Sequence, residues 1–101
     1  MLRIYEVALR VVEELRPALV SIERKDRDLA RQMRRAASSV VLNIAEGSGS
    51  SGGTRTERYR NALGSAREVV ACIEVARAWR YAEVDPGVLR EVIGTLVKVT
   101  R

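Results

Sequence analysis

Gly47-Ser48-Gly49-Ser50-Ser51-Gly52 spells the dinucleotide fingerprint G-x-G-x-x-G, and with Thr54 it nearly completes the phosphate loop G-x-x-x-x-G-K-[ST], except that Gly53 stands where the lysine belongs. The first motif works where a strand turns into a helix, and the second needs the lysine charge on the β/γ-phosphates. Here the preceding segment has helical periodicity, and Glu68 and Glu74, at the distance of the ribose-binding acid, fall on a further helix. The tract therefore reads as a flexible connection between helices, with Gly47 as the left-handed residue that closes the first. An anion held by amides at a helix start near Thr54 is the one phosphate chemistry left to it.

Other reactive chemistry is short of residues. Cys72 is the single cysteine and there is no histidine, so intrachain disulfides, Cys/His zinc sites, Ser-His or Cys-His pairs and Glu-x-x-His di-iron sites are excluded. Asn43 and Glu46 share a polar flank with Gln32 and Ser39, but acid–base work asks for a second carboxylate. Bonds to a neighbouring helix or to loop amides, fixing register, suit them better. Cys72 and Trp79 lie seven residues apart on one flank, where packing at a helix or subunit boundary is expected. No catalytic residue, metal or cofactor is expected, and no enzyme.

What remains is charge. The chain has 18 Lys and Arg against 13 Asp and Glu, a formal +5, which favours an anionic partner. On a helical wheel Arg27, Arg31, Arg34 and Arg35 gather with Ser38 away from Met33 and Val40. Arg24 and Lys25 extend the stripe, giving six positive charges against Asp26 and Asp28 between residues 24 and 35. Such a face suits a phosphate backbone, where neutralised phosphates release counterions and binding depends on salt. A solvated face partly paired with glutamates of neighbouring helices fits the same pattern. No aromatic residue interleaves with these arginines, which argues against base stacking on this face.

The elements that must carry these residues are helical. A chain of 101 residues, 47% hydrophobic and 4% aromatic, predicts one all-α domain over residues 1–101. Tyr5, Ala8, Val12, Leu15, Leu19 and Ile22 place a first helix over Leu2 to Ile22, kinked or broken at Pro17. Asp26 or Asp28 caps a second, Arg27 to Glu46, with core positions Leu29, Met33, Ala36, Ala37, Val40 and Ile44. Thr54-Arg55-Thr56-Glu57 reads as a capping box opening a third helix, whose stripe of Tyr59, Ala62, Leu63, Ala66, Val69, Val70, Ile73 and Ala76 ends near Tyr81. Asp85-Pro86 opens a fourth with Val88, Leu89, Val92, Ile93, Leu96 and Val99 inward. Four amphipathic helices with short connections predict an up-down antiparallel bundle. No apolar run spans a bilayer and no leader pattern opens the chain, so a soluble cytoplasmic protein without a membrane partner is expected.

Two features point to self-association. Leu42 stands opposite the core stripe of helix 2, and Gly64, Ala71 and Ala78 recur every seven residues on helix 3 with Val75 beside them. Such a seam of small residues lets another helix approach closely, so these five are the expected oligomer interface.

The run Gln32-Met33-Arg34-Arg35-Ala36-Ala37-Ser38-Ser39-Val40-Val41-Leu42-Asn43-Ile44-Ala45-Glu46-Gly47 resembles the Q-[ILM]-R-R-A-A-x-S-[IV]-x-x-N-I-A-E-G signature of four-helix-bundle proteins encoded in intervening sequences of bacterial 23S rRNA genes. Ala62-Leu63-Gly64-Ser65-Ala66-Arg67-Glu68 is similar to that family's A-x-G-S-x-x-E segment. The chain departs from the pattern at Ile22-Glu23, where a Phe-Pro usually ends helix 1, and at Pro17. Asn43, Glu46 and Gly47 match the structural motif. The resemblance implies an up-down bundle assembled as a ring-like homopentamer, without catalytic residues, that binds ribosomal or other structured RNA rather than DNA. Arg27, Arg31, Arg34 and Arg35, with Arg60 and Arg67 of helix 3, are then the expected phosphate contacts. A related family, the accessory variability proteins of diversity-generating retroelements, suggests an alternative role as the accessory subunit of a reverse transcriptase.

Overall fold

The computed structural model describes residues 3–101, which form four α-helices and, among the described residues, no strand. They are α1 (Arg3–Lys25), α2 (Arg27–Ser48), α3 (Gly52–Ala78) and α4 (Gly87–Thr100). α1 packs on α2 and α4, and α3 packs on the same two. Among the described residues, no helix is long and apolar enough to cross a membrane.

The inward stripes follow the predicted periodicity except at their edges. Tyr5, Val12, Leu63, Val70, Val88 and Ile93 are only half-buried and Val99 is 48% exposed at the end of α4, while Val7 and Val41, outside the predicted stripes, are buried. Leu15, Ile22, Met33, Ile44, Val69, Val92 and Leu96 are buried to 2% exposure or less, and among the described residues no polar or charged one is buried with them. Alanines at positions 8, 18, 30, 36, 37, 62, 66 and 76 share the core, and their small side chains bring the helix axes close. Cys72 belongs to this core rather than to a boundary. Burial pushes its thiol up, with the nearby Glu68 charge adding to the shift, so the group stays protonated and unreactive.

α1 runs through Pro17 without a break. Proline removes the bond to the Glu13 carbonyl, but Glu13 and Pro17 both face solvent, where water can satisfy that oxygen, while Leu15, Ala18 and Leu19 hold the flanking turns in the core. The α1–α2 connection is a single residue. Asp26 has extended backbone and its carboxylate accepts from the Leu29 amide at 2.9 Å, an N-cap worth about 1 kcal/mol.

The expected capping box does not form. α3 begins two residues before Thr54, at Gly52, with Ser51 as N-cap and no side-chain bond to the free amides. Gly52, at φ 59°, makes the left-handed turn that starts it. Gly47 is not the closing residue either, since α2 continues to Ser48 and caps at Gly49 with φ −87°. Only residues 49–51 separate the two helices, and they are tied down: Arg55 Nε donates to the Ser50 carbonyl at 2.9 Å and the Gly47 carbonyl at 3.3 Å, and Ser50 Oγ donates to the Glu46 carbonyl at 2.8 Å. With helices on both sides, the glycine fingerprint has no strand-to-helix turn to form a phosphate cradle. At α4 the cap shifts by one residue: Pro86 is the N-cap, and Asp85 Oδ1 accepts from the Gly87 amide at 2.9 Å.

Candidate nucleic-acid interface

α2 positions the basic residues by burying its other side. Met33, Ala36, Ala37, Val40 and Ile44 face the core, which leaves Arg27, Arg31, Arg34 and Arg35 exposed. They line two adjoining hollows. One, of about 460 Å³, is bounded by Glu23, Arg27, Asp28, Arg31 and Arg34; the other, of about 520 Å³, continues past Arg35, Ser38 and Leu42 to Arg58 of α3. Arg31 and Arg34 border both, so the two hollows, together the furrow, follow one another along the helix.

Acids neutralise half of this stripe. Arg31 pairs with Asp28 at 2.8 Å and Arg34 with Glu23 at 2.9 Å. Hydrogen bonds from Arg31 and then Gln32 hold the Asp28 carboxyl below its ordinary value. Among the described residues, Arg27 and Arg35 have no acid within ion-pair distance. Exposed pairs are worth less than about 1 kcal/mol, so Arg31 and Arg34 can exchange a carboxylate for a phosphate at little cost.

Arg60 and Arg67 are exposed on α3 but do not border the furrow. Arg60 Nη2 reaches the Thr100 carbonyl at the end of α4, 3.4 Å away. Leu42 is 60% exposed, at the wall of the furrow. Gly64, Ala71, Val75 and Ala78 all lie on the open face of α3, with Val75 42% exposed.

The motif residues Asn43, Glu46 and Gly47 join α2 to α3. Asn43 Nδ2 donates to the Ser39 carbonyl and hydroxyl at 3.0 Å, and that hydroxyl meets Ser65 of α3 at 2.7 Å. Glu46 pairs with Arg58 at 3.2 Å. Gly47 is buried against the ring of Tyr59. As α2 advances from Ser39 to Glu46, its partner on α3 retreats from Ser65 to Arg58. The start of α2 therefore stands beside the end of α3.

That end carries Trp79, whose flank shared with Cys72 predicts packing at a helix or subunit boundary; within the chain it stays outside the helix interfaces. Trp79 is 67% exposed and stacks on Tyr81, with ring centroids 6.2 Å apart and planes inclined by 15°. Arg80 between them has φ 61°, in the left-handed position that follows a helix end. Its amide bonds the Arg77 carbonyl at 2.9 Å and the Tyr81 amide bonds the Ala76 carbonyl at 2.8 Å, the double bond of a Schellman cap. The alternation Arg77-Ala78-Trp79-Arg80-Tyr81 was the available signal. It is a basic and aromatic cluster past the last core position of the helix, where periodicity has nothing to report.

A family model described as 23S rRNA-intervening sequence protein matches residues 1–97. No curated protein and no solved structure matches the chain.

Proposed function

The chain belongs to the 23S rRNA-intervening sequence protein family, and we propose that it is a non-enzymatic, nucleic-acid-associated protein that binds structured RNA along α2. The carrying observation is the furrow, in which, among the described residues, Arg27 and Arg35 stand without acid partners and Arg31 and Arg34 hold only exposed ones. Phosphate neutralisation by such a row releases counterions, and affinity follows from charge without reading bases. The helices take the up-down antiparallel arrangement of a four-helix bundle, a cytoplasmic one in this reading. Self-association is supported by the open seam of Gly64, Ala71, Val75 and Ala78 and by exposed Leu42; the homopentamer is what the family resemblance implies.

Titration of a structured RNA against salt tests the reading. Affinity should fall steeply as salt rises, and replacing Arg31, Arg34 and Arg35 with Ala should weaken it uniformly across RNA sequences. Absence of binding at low salt, or an unchanged affinity in the triple variant, would sink it. Light scattering of the RNA-free protein tests the oligomer.

A further inference from the structure

We propose that Trp79 is a stacking platform for an unpaired nucleobase, so that the RNA this protein holds includes a single-stranded segment leaving the furrow at its Arg27 end. The inference rests on the RNA reading above and adds the class of RNA recognised.

Three observations converge. First, Trp79 presents a large apolar ring to solvent, already stacked on Tyr81, and a base can extend such a stack because every base has a π-face. Second, the platform adjoins the furrow. The Ser39 to Ser65 and Glu46 to Arg58 contacts bring the end of α3 beside Arg27, and Ser21 Oγ of α1 donates to the Tyr81 carbonyl at 2.9 Å, which adds the last turn of α1 to the same corner. Third, the charge there is unbalanced. Arg24, Lys25, Arg27, Arg77 and Arg80 are all exposed, whereas three of the nearby acids are paired with arginines, Glu23 with Arg34, Asp28 with Arg31 and Glu83 with Arg77, which leaves Asp26 and Asp85, each capping a backbone amide, as the acids of these segments outside an ion pair. Among the described residues, Arg24, Lys25, Arg27 and Arg80 have no acid within ion-pair distance.

An aromatic ring set among unneutralised cations matches a nucleotide, which offers a flat ring and an anion a few ångströms apart. A paired duplex keeps its base faces inside the stack and offers only the furrow's phosphate contacts. The segment reaching Trp79 must therefore be unpaired, as at a loop or a strand end.

Trp79 is the only tryptophan, so its fluorescence reports the contact directly. Short oligoadenylate RNA and an RNA duplex of equal length are titrated separately into the full chain at low salt. Oligoadenylate should quench the emission, the duplex should bind without doing so, and Trp79→Ala should weaken oligoadenylate about tenfold while leaving duplex affinity unchanged. Trp79→Phe, which keeps a ring, should retain most of the affinity. If oligoadenylate binds with unaltered emission and Trp79→Ala binds it equally well, the stacking inference is overturned while the RNA reading stands. If neither RNA binds at low salt, both fall. An RNA-free emission that shifts to the blue as protein concentration rises would assign Trp79 to a contact between copies and overturn the inference.

Discussion

Gly47 of α2 lies so close to Tyr59 of α3 that a Cβ built on it would stand 2.6 Å from the ring's Cε1. Tyr59 is only 7% exposed, and its hydroxyl lies 3.4 Å from Ser48 Oγ, so the ring has little room to swing aside. Gly47→Ala should destabilise the protein by about 2 kcal/mol through overpacking, even though alanine is the better helix former. Gly94, exposed inside α4 with open space where a Cβ would stand, serves as the opposite case. Gly94→Ala should stabilise by about 0.5–1 kcal/mol. Urea unfolding of the two variants reads both signs, and a Gly47→Ala protein as stable as the parent would show that the ring yields.

The two other cross-contacts of α2 and α3 differ in worth. Ser39 and Ser65 meet at 2.7 Å in a half-buried setting, with Asn43 also bonded to Ser39, so Ser65→Ala should cost about 1 kcal/mol. Glu46 and Arg58 are each about half exposed, and Glu46→Gln should change stability by less than about 0.5 kcal/mol. The same unfolding measurement, repeated at high salt, should narrow the Glu46 effect further and leave that of Ser65 unchanged.

Cys72 gives the alkaline limb of stability a specific shape. Its folded value is raised by burial, so the unfolded thiol ionises first, near pH 8.5. The stabilising difference is complete below that pH and is lost as pH rises from there through the folded value. Above about pH 8.5, unfolding free energy should fall more steeply in the parent than in Cys72→Ala. Parallel slopes in the two proteins would remove Cys72 as the cause. A thiol reagent added to the native protein should react only at the rate of opening.

The helices were legible because their cores are built on a single period. Leu29, Met33, Ala36, Val40 and Ile44 recur at helical spacing, and all five are buried. The arginine stripe of α2 was legible for the same reason, being what that period leaves outside. Connections obey local geometry instead. Thr54-x-x-Glu57 has the letters of a capping box, but Gly52 can take a positive φ and starts the helix earlier. Pro17 reads as a breaker until its neighbours on the buried face are counted. The role of Gly47 depends on Tyr59, twelve residues away in sequence and across a helix interface. The Trp79 corner forms where three chain segments meet, a relation no single helical wheel contains.

Arg80 separates stability from binding. A non-glycine residue at φ 61° brings its Cβ close to the backbone carbonyl, at a cost of about 1 kcal/mol relative to glycine, the preferred residue at this position after a helix. Its side chain makes no hydrogen bond or ion pair among the described residues that would offset this. Arg80→Gly should therefore raise stability by about 1 kcal/mol, or roughly 5 °C in Tm for a domain of this size. The substitution also removes a cation beside Trp79, so the affinity for oligoadenylate should fall and the dependence of log K on log salt should become shallower by about 0.7, the value for one phosphate on a single strand. Thermal unfolding and a salt titration of the same variant read the two effects independently. A more stable protein with unaltered binding would detach Arg80 from the RNA contact; a less stable one would mean that the side chain contributes packing that outweighs the backbone strain.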